Sequence, residues 1–195
     1  MQRKRVKIFN FGLPRTGTTS FHLFMKENGY KTAHTNDGFI NKCFPTDYFE
    51  FIQDSNNLDN NLIKKYISDN EVFSDLPWYS YKLRKKIIEK YKNNPNVYFV
   101  ATTRKKEDWI RSIKTIIPHI KSESEKQFHE MEYNGILKEG VTDDKLSVFF
   151  DEFHSNMDKN IILLSLENTK SIKKNLSKIT KINLDIEYPI SNKSD

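Results

Sequence analysis

Phe9-Asn10-Phe11-Gly12-Leu13-Pro14-Arg15-Thr16-Gly17-Thr18-Thr19-Ser20 is the stretch whose reading decides the fold. The apolar-rich run through it, with Val6, Ile8, Phe9 and Phe11, reads as a buried strand ending at Gly12. Two glycines five residues apart, Gly12 and Gly17, then bracket a tight loop. Thr18-Thr19-Ser20 opens an amphipathic helix with Phe21, Phe24 and Met25 on one face, and Gly29 is its C′ stop. A strand, a bracketed loop and a helix start together make an anion cradle. Backbone N–H groups converge there, and the helix dipole favours negative charge. The common nucleotide-hydrolase pattern G-x-x-x-x-G-K-[ST] has Lys directly after the second glycine. Here Thr18 stands at that position, and the cation comes earlier, at Arg15. The same residues would also serve a strand-to-helix turn with no ligand, so the loop needs support from elsewhere in the chain.

Working outward, strands and helices alternate. Tyr30–His34 reads as a second short strand, and Glu71–Asp75 as a third that ends at a carboxylate. Between them, residues 36–70 read as a helical excursion, with helical spacing over Asp47–Ile52 and Leu58–Ile67. Pro77 favours a helix start, and Trp78, Tyr81, Ile88 and Tyr91 keep helical spacing. Val97–Thr103 is the most strand-like run and delivers Arg104, with a helix over Glu107–Ile117 closed by Pro118. Further on come a mixed charged segment over 119–140, a helix over Leu146–Met157, a buried strand over Ile161–Leu166 and a helix over Ser171–Ile179. The tail 191–195 is polar. With no repeat and no linker-like boundary, the pattern predicts a single domain over residues 1–195. Its class is α/β: three layers, a mostly parallel sheet with helices on both faces, of the P-loop nucleotide-binding type.

A second constellation lies in Thr102-Thr103-Arg104-Lys105-Lys106-Glu107-Asp108-Trp109-Ile110-Arg111-Ser112. Arg104 stands at the carboxyl end of a strand, where open α/β sheets bind ligands, and Ser112 follows eight residues later. A guanidinium offers a fork to phosphate oxygens, and a hydroxyl adds a donor. An Arg and a Ser at this spacing would alone be an ordinary solvated helix start. Together with the first loop they resemble the sulfotransferases that use 3′-phosphoadenosine 5′-phosphosulfate. In that family a loop like Gly12-x-Pro14-Arg15-Thr16-Gly17-Thr18-Thr19 holds the 5′-phosphosulfate, and an Arg and Ser placed like Arg104 and Ser112 hold the 3′-phosphate. Asp75-Leu76-Pro77 and Tyr188-Pro189-Ile190-Ser191-Asn192 resemble an Asp-x-Pro element and a closing aromatic-Pro-x-x-Asn of one branch. The Arg-Lys-Gly tripeptide by which cytosolic members also grip the 3′-phosphate does not occur in this chain.

The resemblance implies transfer of a sulfuryl group to a hydroxyl or amine, with adenosine 3′,5′-bisphosphate as product and no metal required. It places Gly12, Arg15, Thr16, Gly17, Thr18, Thr19, Arg104 and Ser112 on the nucleotide. Arg15 and the N–H groups of Gly17, Thr18 and Thr19 would stabilise charge on the departing phosphate oxygen. A general base is needed for the acceptor. Asp75, at a strand end on the ligand edge, is the first candidate, although Asp there could equally cap the helix near Pro77. His34, at the end of the second strand, is the runner-up. Glu71 comes too early in its strand. His22, inside the first helix, reads as structural, and His119, His129 and His154 read as surface residues. The excursion over 36–70 and the segment 118–140 are where an acceptor would be chosen. Small-molecule, carbohydrate and peptide acceptors all fit.

The same residues admit rival readings. A kinase or nucleotide hydrolase wants Lys at position 18, where Thr18 stands, although Asp75 could serve as its magnesium-binding Asp. A nucleotide-binding module without catalysis remains open if Asp75 is only a cap. The net charge of +6 favours anionic partners, but basic and acidic residues are interleaved, so a nucleic-acid interface is not indicated. No compact His/Cys cluster suits a metal. One cysteine, Cys43, excludes an internal disulfide, and the basic start leads into a short strand rather than a signal-peptide core. With no apolar run of membrane-spanning length, the expected location is the cytoplasm.

Overall fold

The computed structural model describes residues 5–34, 58, 61–75, 78–116, 141–180 and 186–189. The expected helix over Asp47–Ile52, the segment 118–140, Cys43, His119, His129, Leu76, Pro77 and Ile190-Ser191-Asn192 lie outside these residues. The described chain divides into two compact units. One holds the chain up to Thr103 together with the stretch from Asn160 onward, and the other holds Arg104–Lys159.

The first unit is built on five parallel strands: β1 (Lys7–Asn10), β2 (Thr32–Ala33), β3 (Val72–Ser74), β4 (Val97–Thr103) and β5 (Ile162–Ser165). Their order across the sheet is β2-β3-β1-β4-β5. β1 is central, with Ile8 fully buried on one face and Phe9 on the other, as a strand covered on both sides requires. Ile8 pairs with Val72 and Tyr98, and Phe9 with Phe73 and Phe99, so like faces align across the three middle strands. One face, with Ile8, Val72, Val100 and Leu164, packs against helices α1 (Thr18–Glu27) and α6 (Thr169–Thr180) through Phe21, Phe24, Met25, Ile172 and Leu176. Each large side chain so buried contributes roughly 1.5–3 kcal/mol.

The opposite face is aromatic. Phe9 stacks on Phe73 at 4.5 Å, and Tyr91 of α3 (Tyr81–Tyr91) lies 5.9 Å from Phe9. Tyr66 of α2 (Asn61–Asp69) meets Phe73 at 6.0 Å. Helices therefore cover both faces, and the three-layer α/β architecture is as expected, with every described strand parallel.

The second unit contains α4 (Lys106–Ile116) and α5 (Asp143–Ser155). Trp109 joins them, fully buried and 5.3 Å from Phe150. Lys106–Asp151 and Lys114–Asp143 ion pairs, at 2.9 and 2.7 Å, lie on the surface, where such pairs add little. His154 is half-buried, its ring 4.0 Å from that of Phe150.

Several expected boundaries hold closely. β4 spans Val97–Thr103 as read from its pattern. Gly29 has φ 79°, its N–H reaches Lys26 O, and the N–H of Tyr30 reaches Met25 O, which closes α1 as a Schellman motif. Two expectations are corrected. The helix expected from Pro77 starts at Tyr81, with Ser80 at its N-cap, so Asp75 is not its cap. The pattern over Ile161–Leu166 predicts a buried strand, yet Leu163 is 52% exposed. β5 is an edge strand, and an apolar run reads the same at an edge as at the centre. Among the described residues, no helix is long and apolar enough to cross a membrane.

Candidate functional site

The carboxyl ends of β2, β3, β1 and β4 lie side by side, and each delivers a residue singled out by sequence. β1 runs into the Gly12–Gly17 loop, β3 into Asp75, β2 into His34, and β4 ends one residue before Arg104. The chain passes from β3 across β1 to β4, so the loop leaves the sheet at the strand where its winding reverses, the usual place for a ligand in open α/β sheets.

The loop is built from beneath by a buried polar network. Asn10 Oδ1 accepts hydrogen bonds from the N–H of Gly12 and the N–H of Thr102, both at 3.0 Å. Asn10 Nδ2 donates to Thr102 Oγ1 at 3.2 Å, and Thr102 Oγ1 lies 3.2 Å from Thr16 Oγ1. All three side chains are buried. Buried polar groups are costly unless bonded, so the network both satisfies itself and ties the loop to the end of β4. Sequence reasoning missed Asn10 and Thr102. The available signal was a lone amide between Phe9 and Phe11.

This network explains Gly12. A Cβ there would stand 2.2 Å from Thr102 Oγ1 and 2.6 Å from Thr102 O. The requirement is close approach rather than an unusual φ. Gly12→Ala is therefore expected to cost about 1–3 kcal/mol of stability, the usual range for overpacking. Denaturant unfolding measures it, and an unchanged midpoint would show that the strand ends spread freely. Gly17 has a different reason. Its φ is 88°, and a Cβ would meet Leu166 at 2.6 Å.

Within the loop, Thr16 N and Thr16 Oγ1 both donate to Leu13 O, at 3.1 and 2.6 Å. Pro14 then occupies the second position of this turn and Arg15 the third, with φ 69°. A type II turn wants Gly at that third position. A non-glycine residue at positive φ there costs of order 1–3 kcal/mol, and such cost concentrates at functional sites. Gly17 is the N-cap of α1 and has no side chain to bond the first turn, which also lacks acidic residues. Thr18 is buried and opens α1, and Thr19, half-buried, follows it. Ser74 Oγ lies 3.4 Å from Thr18 O, which places the end of β3 beside this helix start. Tyr188, from the closing aromatic-Pro element, donates to Gly17 O at 3.5 Å and packs its ring 5.1 Å from Phe24. Burial pushes its phenol pKa well above the ordinary value, so it stays a donor.

Asp75 shares the backbone feature of Arg15, with φ 72°. Its carbonyl accepts from Trp78 N at 2.9 Å in a turn, and its carboxylate Oδ2 lies 3.5 Å from His34 Nε2. The His34 ring is in turn 4.9 Å from that of His22. The structure thus joins the two candidate bases, and His22, read from sequence as structural, adjoins them. Arg104 follows β4 directly in sequence and opens the second unit. Ser112 lies in α4 and is buried. Among the described residues no group of three or more His, Cys, Asp or Glu side chains is placed to hold a metal ion.

A family model described as a sulfotransferase domain matches residues 7–179 of this chain. No curated protein matches it.

Proposed function

We propose that this chain, which belongs to the sulfotransferase family, moves a sulfuryl group from 3′-phosphoadenosine 5′-phosphosulfate to a hydroxyl or amine of its acceptor. Family membership makes it a transferase; the donor and the residue roles are the proposal. The observation that carries them is Arg15 at φ 69°, a cation held where the turn asks for glycine, beside a helix start left uncapped by Gly17. These residues fit a phosphate dianion. The N-terminus of α1 supplies directed N–H groups and a favourable dipole, and no carboxylate in its first turn opposes the charge.

When bound, the donor supplies an activated sulfuryl group joined to a phosphate that leaves. Arg15 and the N–H groups of Gly17, Thr18 and Thr19 stabilise the charge that grows on the leaving phosphate oxygen. Gly12 and Thr16 keep the loop seated on the network below it. Asp75 takes the proton of the acceptor as that oxygen or nitrogen bonds to sulfur. Arg104 and Ser112 are assigned to the 3′-phosphate by their motif. The chain over 1–195 acts as one functional domain, with the region near 36–70 receiving a small-molecule, carbohydrate or peptide acceptor. Its single cysteine suits a reducing compartment, and we place the reaction in the cytoplasm.

Calorimetry tests the donor assignment. Adenosine 3′,5′-bisphosphate should bind more tightly than AMP or ADP, without magnesium. Arg104→Ala should weaken bisphosphate binding by about 1.5–3 kcal/mol, as for a charged hydrogen-bond partner, and leave AMP binding unchanged. Equal affinity for AMP and the bisphosphate would remove Arg104 and Ser112 from the site. Tighter binding of ATP with magnesium would point to phosphoryl chemistry instead.

A further inference from the structure

The two candidate bases form one buried pair with unequal access to solvent. His34 is 1% exposed and Asp75 is 9% exposed. His34 Nε2 faces Asp75 Oδ2 at 3.5 Å, and the imidazole of His22 lies 4.9 Å from that of His34. The pairing is imposed by the sheet. β2 and β3 are parallel neighbours with Ala33 opposite Phe73, so His34 falls level with Ser74, one residue before Asp75. His22 comes from α1, the helix that begins at the phosphate loop, and is itself buried. Asp75 is turned by its φ of 72° out of the extended path of β3.

From these observations we infer that His34 is a positioning residue for Asp75: the buried imidazole orients the carboxylate, and Asp75, the more accessible member, takes the acceptor's proton. This rests on the sulfuryl-transfer reading above. The reverse assignment would have His34 meet the acceptor, and its burial opposes that. In the step itself, the acceptor's O–H or N–H bond breaks, its electron pair forms the new bond to sulfur, and the proton passes to the carboxylate. The sulfur–oxygen bond to the departing phosphate breaks, and its electron pair stays on that oxygen. His34 keeps its own proton throughout. Its contribution is to orient the carboxylate through the Nε2–Oδ2 contact and to steady the carboxyl group after protonation.

The test uses the full chain, labelled 3′-phosphoadenosine 5′-phosphosulfate and a panel of phenolic, amine and sugar acceptors. His34→Phe keeps a ring of similar size without nitrogen and should lower turnover by ~10–100-fold, the usual worth of a group that orients a reacting one. Affinity for adenosine 3′,5′-bisphosphate should not change. His34→Gln, whose amide can stand in for Nε2, should recover part of the loss. In an Asp75→Asn background, His34→Phe should cost nothing further, because groups acting as one unit are non-additive. A full additional loss in the double variant would overturn the proposal, as would full activity of His34→Phe. Activity retained by Asp75→Asn but lost by His34→Phe would reverse the two roles and overturn it equally. Nitrogen NMR of histidine-labelled protein reads the pair without turnover. Asp75→Asn should shift the His34 Nε2 resonance, and an unmoved resonance overturns the pairing. Absence of transfer by the wild-type chain would sink the sulfuryl-transfer reading and the positioning role with it. The nitrogen spectra separate that failure from failure of the pair.

Discussion

Asp75→Asn is expected to lower turnover by roughly 10²–10⁴-fold, the usual worth of a positioned general base, while folding and nucleotide binding persist. The substitution is unusually clean at this position for three reasons. Asn and Asp are the residues that best tolerate positive φ after glycine, so the backbone at φ 72° is preserved. The carboxylate does not cap a helix, because α3 begins at Tyr81 behind Ser80. The amide also keeps an oxygen toward His34, so the buried contact is not replaced by a void. Stability should therefore change by no more than about 1 kcal/mol, the scale of one neutral hydrogen bond. The measurements are transfer of labelled sulfuryl groups, bisphosphate titration and a denaturant melt on the same preparation. Full turnover in this variant would take the proton from Asp75 and leave the site without its assigned base. Collapse of the fold would show that the carboxylate is structural.

The second large effect is expected at Arg15, where stability and activity should part. Arg15→Gly removes the cation from the leaving phosphate and should reduce turnover by about 10²–10³-fold, the range for losing one preorganised donor to developing charge. Yet glycine is the residue that the third position of this turn favours. Relief of the φ 69° conformation, of order 1–3 kcal/mol, offsets the extra chain entropy that glycine carries when unfolded, about 0.4–1 kcal/mol. The variant should melt at or above the wild-type midpoint. Arg15→Lys should fall between the two in activity, since an ammonium is a point charge without the planar fork. Undiminished turnover in Arg15→Gly would show that the positive φ serves the loop's shape alone. A marked loss of stability would mean that the guanidinium holds the fold together.

Much of this molecule was legible locally. A strand running to Gly12, a loop closed by Gly17 and a helix ended by Gly29 are written in neighbouring residues. Each depends on backbone preferences and side-chain period that act within a few positions. The same is true of β4, whose limits coincide with its pattern. The placement of Arg15 before Gly17, with Thr18 in the lysine position, was likewise visible without coordinates, and so was the family that those residues resemble.

Contacts between distant segments were beyond that reading. Asn10 meets Thr102 across 92 positions, and only the pairing of β1 with β4 explains why Gly12 lacks room for a Cβ. Nothing within either strand states which strand will be its neighbour. From sequence alone His34 and Asp75 compete for one role, because each ends its own strand; the β2–β3 register makes them neighbours. The apolar run Ile161-Ile162-Leu163-Leu164 pointed to a covered strand, but its place at the sheet edge is set by the order of the other four. The sequence by itself determined the loop, the strand-and-helix alternation and the chemical types available. Tertiary structure alone decided which of those groups touch, because parallel pairing joins residues through crossovers whose partners no local preference encodes.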